Sequence, residues 1–128
     1  MRASLIQIDV DPNESADARR LRVAALVRAQ QGSDLVVLPE LWPLGGFAYD
    51  EWSAGAETLD GATAELMSEA ARSAGVWLHA GSIVERDPDG PIYNTSLLFS
   101  PSANSATPTE DPPLRLRQRR GRGDGAGQ

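Results

Sequence analysis

The residues with the clearest chemical potential lie in Leu35-Val36-Val37-Leu38-Pro39-Glu40-Leu41-Trp42, where an apolar run delivers a single carboxylate. Four aliphatic residues are too few for a helix and too apolar for a half-exposed strand, so they read as a buried strand of an α/β sheet. Pro39 has no N–H to donate and ends the ladder. Glu40 then stands just past the carboxyl end of that strand, in the crevice where open α/β sheets bind ligands. A carboxylate placed there can move protons; the competing reading is a solvated loop acid, and position alone does not separate the two. The partners open to it are few. The chain has no cysteine, so a disulfide, a thiolate metal site and a cysteine nucleophile are all excluded, and its twelve basic residues are all arginine. His79, the single histidine, sits mid-strand beside Trp77 and Leu78 and reads as a packed or hydrogen-bonded residue rather than a catalyst. No metal and no cofactor is expected.

The elements that must position Glu40 follow from periodicity and punctuation. Arg2 to Ile8 is a first strand candidate. A helix is expected from Ser15 to Gln31, stopped by Gly32, although Arg20 intrudes on the side that carries Val23 and Val27. The segment between Trp42 and Thr58 reads as a loop whose first part, to Trp52, holds two glycines and, with Trp42, four of the aromatic residues. A second helix is expected from Gly61 to Ala74, with Asp60 as N-cap and Gly75 as the stop; Leu66, Met67, Ala70, Ala71 and Ala74 form one apolar stripe suited to close packing on a sheet. Val76 to Arg86 and Ile92 to Phe99 are strands around the turn Asp87-Pro88-Asp89-Gly90-Pro91. Helical crossovers imply parallel pairing of the first strands, and the tight turn implies an antiparallel pair at the end.

Composition bounds the function. A chain of 128 residues can build one small domain with a core, and no stretch approaches a membrane span. With no apolar leader at the N-terminus, the cytoplasm is the default location. Residues 1–100 hold seven arginines against fifteen acids, and residues 101–128 hold five against three. The acidic body argues against nucleic acid as a partner. No phosphate-cradling loop is present, because Gly45-Gly46 lacks the required glycine spacing and a helix directly after it.

Three separated motifs occur in a familiar order: an opening strand containing Gln7, the run Gly32-Ser33-Asp34-Leu35-Val36-Val37-Leu38-Pro39-Glu40-Leu41, and Tyr93-Asn94-Thr95 on a later strand. Together they resemble the carbon-nitrogen hydrolase (nitrilase) superfamily over residues 1 to about 100. The resemblance implies the N-terminal part of a nitrilase-like α/β fold, a four-layer αββα sandwich. It also implies a Glu-Lys-Cys mechanism on a small linear amide, or a nitrile, in the complete form: Glu as general base, Lys stabilising the tetrahedral intermediate, Cys attacking the carbon. Glu40 matches the base. The chain has neither of the other residue types, so hydrolysis by this route is not expected of it alone. Trp42 and Phe47 are candidates for the substrate pocket, because the segment after the base borders the entrance in similar proteins. Asn94 is expected to brace backbone near the site. The complete form is expected to pair into a homo-oligomer.

The C-terminal segment departs from the family, which follows its Tyr-Asn-Thr strand with a hairpin and a segment like R-K-I-H-L-F-G-F-D. Read one nucleotide later, the degenerate codons of Thr107 to Gln118 permit H-R-R-K-I-H-L-F-G-F-D over eleven consecutive triplets. Residues 1–102 are therefore read as the N-terminal part of a carbon-nitrogen hydrolase domain, and residues 103–128 as a disordered Arg/Pro/Gly-rich tail that is out of frame. The alternative is a non-catalytic α/β module whose basic tail binds nucleic acid or an acidic partner.

Overall fold

The computed structural model describes residues 1–102 and the backbone of Leu114–Arg119. Its elements, in chain order, are β1 (Ala3–Leu5), α1 (Ala16–Arg28), β2 (Leu35–Val37), α2 (Tyr49–Gly55), α3 (Ala62–Ala74), β3 (Trp77–Arg86), β4 (Ile92–Phe99) and β5 (Leu114–Arg119). The strands form one sheet in the order β1-β2-β3-β4-β5. β1, β2 and β3 are parallel, while β3-β4 and β4-β5 are antiparallel, so the expected switch of direction falls at the Asp87–Pro91 turn. The segment expected to be a disordered tail contains β5, whose register runs from Tyr93 opposite Arg119 to Leu98 opposite Leu114. Main-chain groups make that ladder, and they do not depend on the arginine side chains. Residues 103–113 and 120–128 lie outside the described residues.

Local chemistry sets the helix ends. Ser15 caps α1, its Oγ accepting from Ala18 N at 3.1 Å. The helix closes at Arg28, earlier than expected, and Gly32 supplies a positive φ in the turn that follows. α3 starts one residue later than expected. Gly61 rather than Asp60 occupies that position, and the open N–H of Thr63 is met at 2.8 Å by the carboxylate of Glu57. Gly75, at φ 68°, ends the helix in the left-handed region as expected. α2 was not expected: Tyr49 to Gly55 has no side-chain cap and is held by Trp52, whose Nε1 donates to Gly45 O at 3.0 Å.

Both α1 and α3 cover one face of the sheet. Val23, Ala24 and Val27 of α1 and Met67, Ala70, Ala71 and Ala74 of α3 pack with Val36, Leu78, Ile83, Leu97 and Phe99. Small alanines bring α3 close, as the stripe implied. Arg20 does not spoil this core because its charge is paired: Nη2 lies 3.0 Å from Glu57 Oε2, and Nε donates to Thr63 Oγ1 at 2.8 Å. The opposite face carries Val37, His79 and Leu98 in one register row, with Leu5 at its edge. A second, smaller cluster of Leu41, Trp52 and Val84 covers the far end of that face.

One irregularity shapes the sheet. Between His79 and Ser82 the β3-β4 register shifts, so Ala80 and Gly81 together oppose Leu97. Gly81 has φ 65°, and a Cβ there would lie 1.9 Å from the carbonyl oxygen of Pro39. Glycine is required on both counts. Gly81→Ala is expected to destabilise the protein by about 3 kcal/mol or to abolish cooperative unfolding, measured by urea denaturation followed by circular dichroism.

Candidate functional site

Glu40 occupies the turn that leaves β2. The ladder runs one residue past the strand, with Leu38 N donating to His79 O at 2.9 Å, and then stops at Pro39. Leu41 follows with φ 52°, a left-handed conformation that is strained for a side chain of this size. The surroundings hold it there. Leu41 N donates to Ser82 Oγ at 3.0 Å, Leu41 O accepts from Gly45 N at 2.8 Å, and Trp42 Nε1 donates to Ala80 O at 3.0 Å. The bulge therefore presents two acceptors, a hydroxyl and a carbonyl, to the two residues after the acid.

The carboxylate itself is exposed, and its Oε1 accepts from Asn94 Nδ2 at 2.5 Å. A carboxylate only accepts, so this contact fixes which end of the Asn94 amide faces Glu40. Asn94 Oδ1 is left buried and without a partner. Asn94 was expected to brace backbone; instead it braces the acid's own side chain, reaching from β4 to the loop after β2. Thr95, on the opposite face of β4, is fully buried and donates from Oγ1 to Glu85 Oε1 at 2.7 Å.

Glu40 opens onto a cleft of about 1140 Å³ between the segment 8–16 and the loop 40–48. Ile8, Val10, Leu44 and Phe47 provide apolar wall, and Glu14 and Glu51 provide further carboxylates. The two aromatic pocket candidates part company here. Phe47 lines the cleft and is 88% exposed, stacked edge-on against Tyr49 with centroids 6.5 Å apart. Trp42 does not reach the cleft: its ring is 1% exposed in the main core, held by the bond from its Nε1 to Ala80. Burying the indole removes a large apolar area from water, and the carbonyl of Ala80 satisfies its N–H there. His79 is half-buried, and its Nδ1 accepts from Gly81 N at 3.3 Å, a local structural contact.

Charged residues that the sequence did not single out frame the cleft. Glu14 bridges two arginines, Arg19 Nε at 3.2 Å and Arg22 Nη2 at 2.9 Å, both to Oε1. Its carboxyl is held below the ordinary glutamate value, chiefly by the hydrogen bond from Arg22. Arg19 is 3% exposed, although the pattern of α1 marks only its neighbour Arg20 as a polar inward position. Among the described residues, no group of His, Asp and Glu side chains is placed to hold a metal ion.

The match to the carbon-nitrogen hydrolase model covers residues 2–110. The chain belongs to the carbon-nitrogen hydrolase family. Among curated relatives, the 2-oxoglutaramate amidase of Paenarthrobacter nicotinovorans is 38% identical over 102 residues, which is 77% of this chain and 35% of that protein. Human omega-amidase NIT2 is 33% identical over 102 residues, 78% of this chain and 36% of that protein. The chain thus spans about a third of the length of the curated relatives it matches. Among solved structures, the CN-hydrolase superfamily protein XC1258 of Xanthomonas campestris, which carries an arsenic adduct in its active site, superposes with a TM-score of 0.74 at 27% identity, over 93% of this chain and 40% of that one. Saccharomyces cerevisiae Nit3, of the nitrilase superfamily, shares the fold with a TM-score of 0.69 at 22% identity, over 91% of this chain and 43% of that one. The nitrilase-like α/β reading and the family assignment therefore stand.

The Glu14 arrangement has a pH signature. A carboxyl whose folded value is lowered adds stability above its unfolded value, and that contribution is lost as pH falls through the folded value. The Glu14–Arg22 link should hold at neutral pH and release only below 4.5, the ordinary glutamate value. An NMR titration of the Glu14 carboxyl is expected to show the lowered midpoint, and Arg22→Lys to move it back toward 4.5.

Proposed function

We propose that the protein is part of an amidase acting on a small linear amide, with Glu40 as the general base. The observation that carries this reading is the Glu40 side chain itself. It stands at the carboxyl end of β2, is aimed by Asn94 at 2.5 Å, and opens onto the cleft. That the relatives include amidases named for 2-oxoglutaramate and for omega-amides favours an amide over a nitrile. In the mechanism that the family resemblance implies, the base takes a proton from the nucleophile and later from the attacking water. Glu40 is exposed and therefore reachable by both. Phe47 and Leu44 would supply apolar contact for the carbon skeleton of the substrate. Asn94 would hold the carboxylate in one rotamer, so that proton transfer is not preceded by a search.

The nucleophile and the cation that would stabilise the tetrahedral intermediate have no counterpart in a sequence without cysteine and lysine. As written, the chain is proposed to be inactive, with residues 103–128 an out-of-frame reading of DNA that encodes the family's next segment. The β5 pairing is neutral on this point, because a ladder of main-chain bonds is open to either reading frame.

Sequencing the gene from codon 95 past the stop tests the frame. One corrected base is expected to restore an R-K-I-H segment and a downstream cysteine; confirmation of the printed frame with no hydrolase remainder downstream would refute this reading. The chain as written should show no hydrolysis of succinamate above background by ammonia release. The restored-frame enzyme should hydrolyse it, and Glu40→Gln in that enzyme is expected to lower kcat by about 10²–10⁴-fold.

A further inference from the structure

Resting on the reading of Glu40 as the base, we propose that Arg19 is the positioning residue of that site. Its buried guanidinium clamps the main chain after Glu40 to the 11–14 turn and so keeps the strained residue Leu41 in place.

Arg19 is almost completely buried, yet it meets a single carboxylate. Its other donors go to main-chain carbonyls. Nη1 donates to Pro43 O at 2.8 Å and, at 3.5 Å, to Trp42 O; Nη2 donates to Asp11 O at 2.8 Å and to Glu14 O at 3.4 Å. Nε donates to Glu14 Oε1 at 3.2 Å. One rigid fork thus spans two loops, and both loops line the cleft onto which Glu40 opens. Burying a cation among neutral dipoles is costly, and such an arrangement persists where each donor is satisfied. The neighbour Arg20 shows the contrast: it pairs with Glu57 and Thr63 and joins α1 to the start of α3.

The carbonyls that Arg19 takes belong to the second and third residues after Glu40. Leu41, between them and the acid, has φ 52°. A left-handed leucine costs on the order of 1–3 kcal/mol and survives only when both flanks are fixed. β3 fixes one flank through Ser82 Oγ and Ala80 O. Arg19 fixes the other. Were the Trp42 and Pro43 carbonyls released, the turn could relax to an ordinary φ, and the Glu40 carboxylate would swing away from Asn94. Lysine does not reproduce this function, because Asp11 O and Pro43 O are met by two different nitrogens of the fork, whereas the donors of lysine radiate from one nitrogen.

The test reads geometry, not turnover, in the full 128-residue chain. The Asn94 Nδ2 resonances, displaced by the charge-assisted bond to Glu40, report the aim of the carboxylate, and exchange of the Leu41 amide reports the turn. Arg19→Lys is expected to move the Asn94 Nδ2 resonances to those of a free side-chain amide. It should also speed Leu41 exchange by about tenfold or more, while Leu78 and Leu97 amides keep their protection. Arg22→Lys, which shares Glu14 but touches neither Trp42 nor Pro43, should leave both readouts in place. The proposal is overturned if Arg19→Lys folds with both readouts unchanged, or if Arg22→Lys disturbs them equally. Should Arg19→Lys not fold, native-state exchange of the unsubstituted chain in low denaturant decides the matter. Arg19 Nε–H and Leu41 N–H opening in one event supports the clamp; Leu41 opening while Arg19 stays protected overturns it. Failure of the general-base reading would show separately, as activity retained by Glu40→Gln in the restored-frame enzyme with the NMR coupling intact.

Discussion

The arrangement depends on one close approach, that of Gly81 to the carbonyl of Pro39. A strand carrying a side chain at that position could not lie where β3 lies, since its Cβ would meet the Pro39 oxygen at 1.9 Å. Because it can, Ala80 and Gly81 share one partner on β4, and the strand turns its polar groups toward the loop after Glu40. Ala80 offers its carbonyl to Trp42, and Ser82 offers its hydroxyl to Leu41. The bulge also resets the alternation of β3. Leu78 and Ala80 face the helices before it, and Ile83 does so after it, while Ser82 and Val84 come to the side of Glu40. A single missing methyl group thus sets the exit angle of the acid and the division of β3 between two clusters.

Two adjacent arginines divide the remaining work. Arg20 reaches Glu57, a residue that also meets the open N–H of Thr63 and is bridged to β3 through its own main chain, with Glu57 N donating to Val84 O at 2.9 Å. That pair joins α1, α3 and the sheet through one carboxylate. Breaking it would leave a charge buried beside an apolar core, which is why one partner alone is worse than neither. Arg19 spends its donors on carbonyls at the ends of two loops. Both tasks need a planar fork with several donors, and arginine supplies it where lysine does not. The absence of lysine from the whole chain is therefore no handicap to these internal contacts.

Much of the fold was legible because its signals are local. The apolar run into Pro39, the glycine at the end of α3 and the Asp87–Pro91 turn each act through residues next to one another, and the structure agrees with them. What was not legible depends on residues far apart in sequence. α2 has no cap and a short apolar pattern, and it exists because Trp52 finds the carbonyl of Gly45. Trp42 reads as pocket lining from its place beside the acid, yet the bulge offers it a buried acceptor. Asn94 reads as a brace for backbone, and only the geometry of three strands shows that its partner is Glu40, fifty-four residues earlier. Arg20 blurs the apolar face of α1, and that blur was itself the signal, since a cation on an inward position implies a buried acceptor, though not which one; Arg19, buried one position earlier, gave no such signal.

Positioning and enclosure are separate tasks in this site, and the chain performs the first. Strain at Leu41, the contacts from β3 and the bond from Asn94 all serve to fix one carboxylate, and each is complete within the described residues. Enclosure is not complete. Glu40 is exposed, Phe47 stands 88% exposed at the rim of the cleft, and on the same side of the sheet Leu5 and Trp77 are 77% and 50% exposed. The helices cover the other face, so the apolar rows beside the acid face outward. A base for amide hydrolysis gains most of its effect where water is excluded and dipoles are fixed. Rigid placement is expensive to build and pointless on an open surface. A strained turn, a required glycine and a buried arginine spent on an exposed acid therefore argue that this face was shaped to be covered. The amide that donates through Nδ2 to Glu40 Oε1 leaves its other end, Asn94 Oδ1, buried without a hydrogen-bond partner. An acceptor desolvated without a partner costs about 1–3 kcal/mol, so the bond from Nδ2 to Glu40 holds the amide in place against that cost.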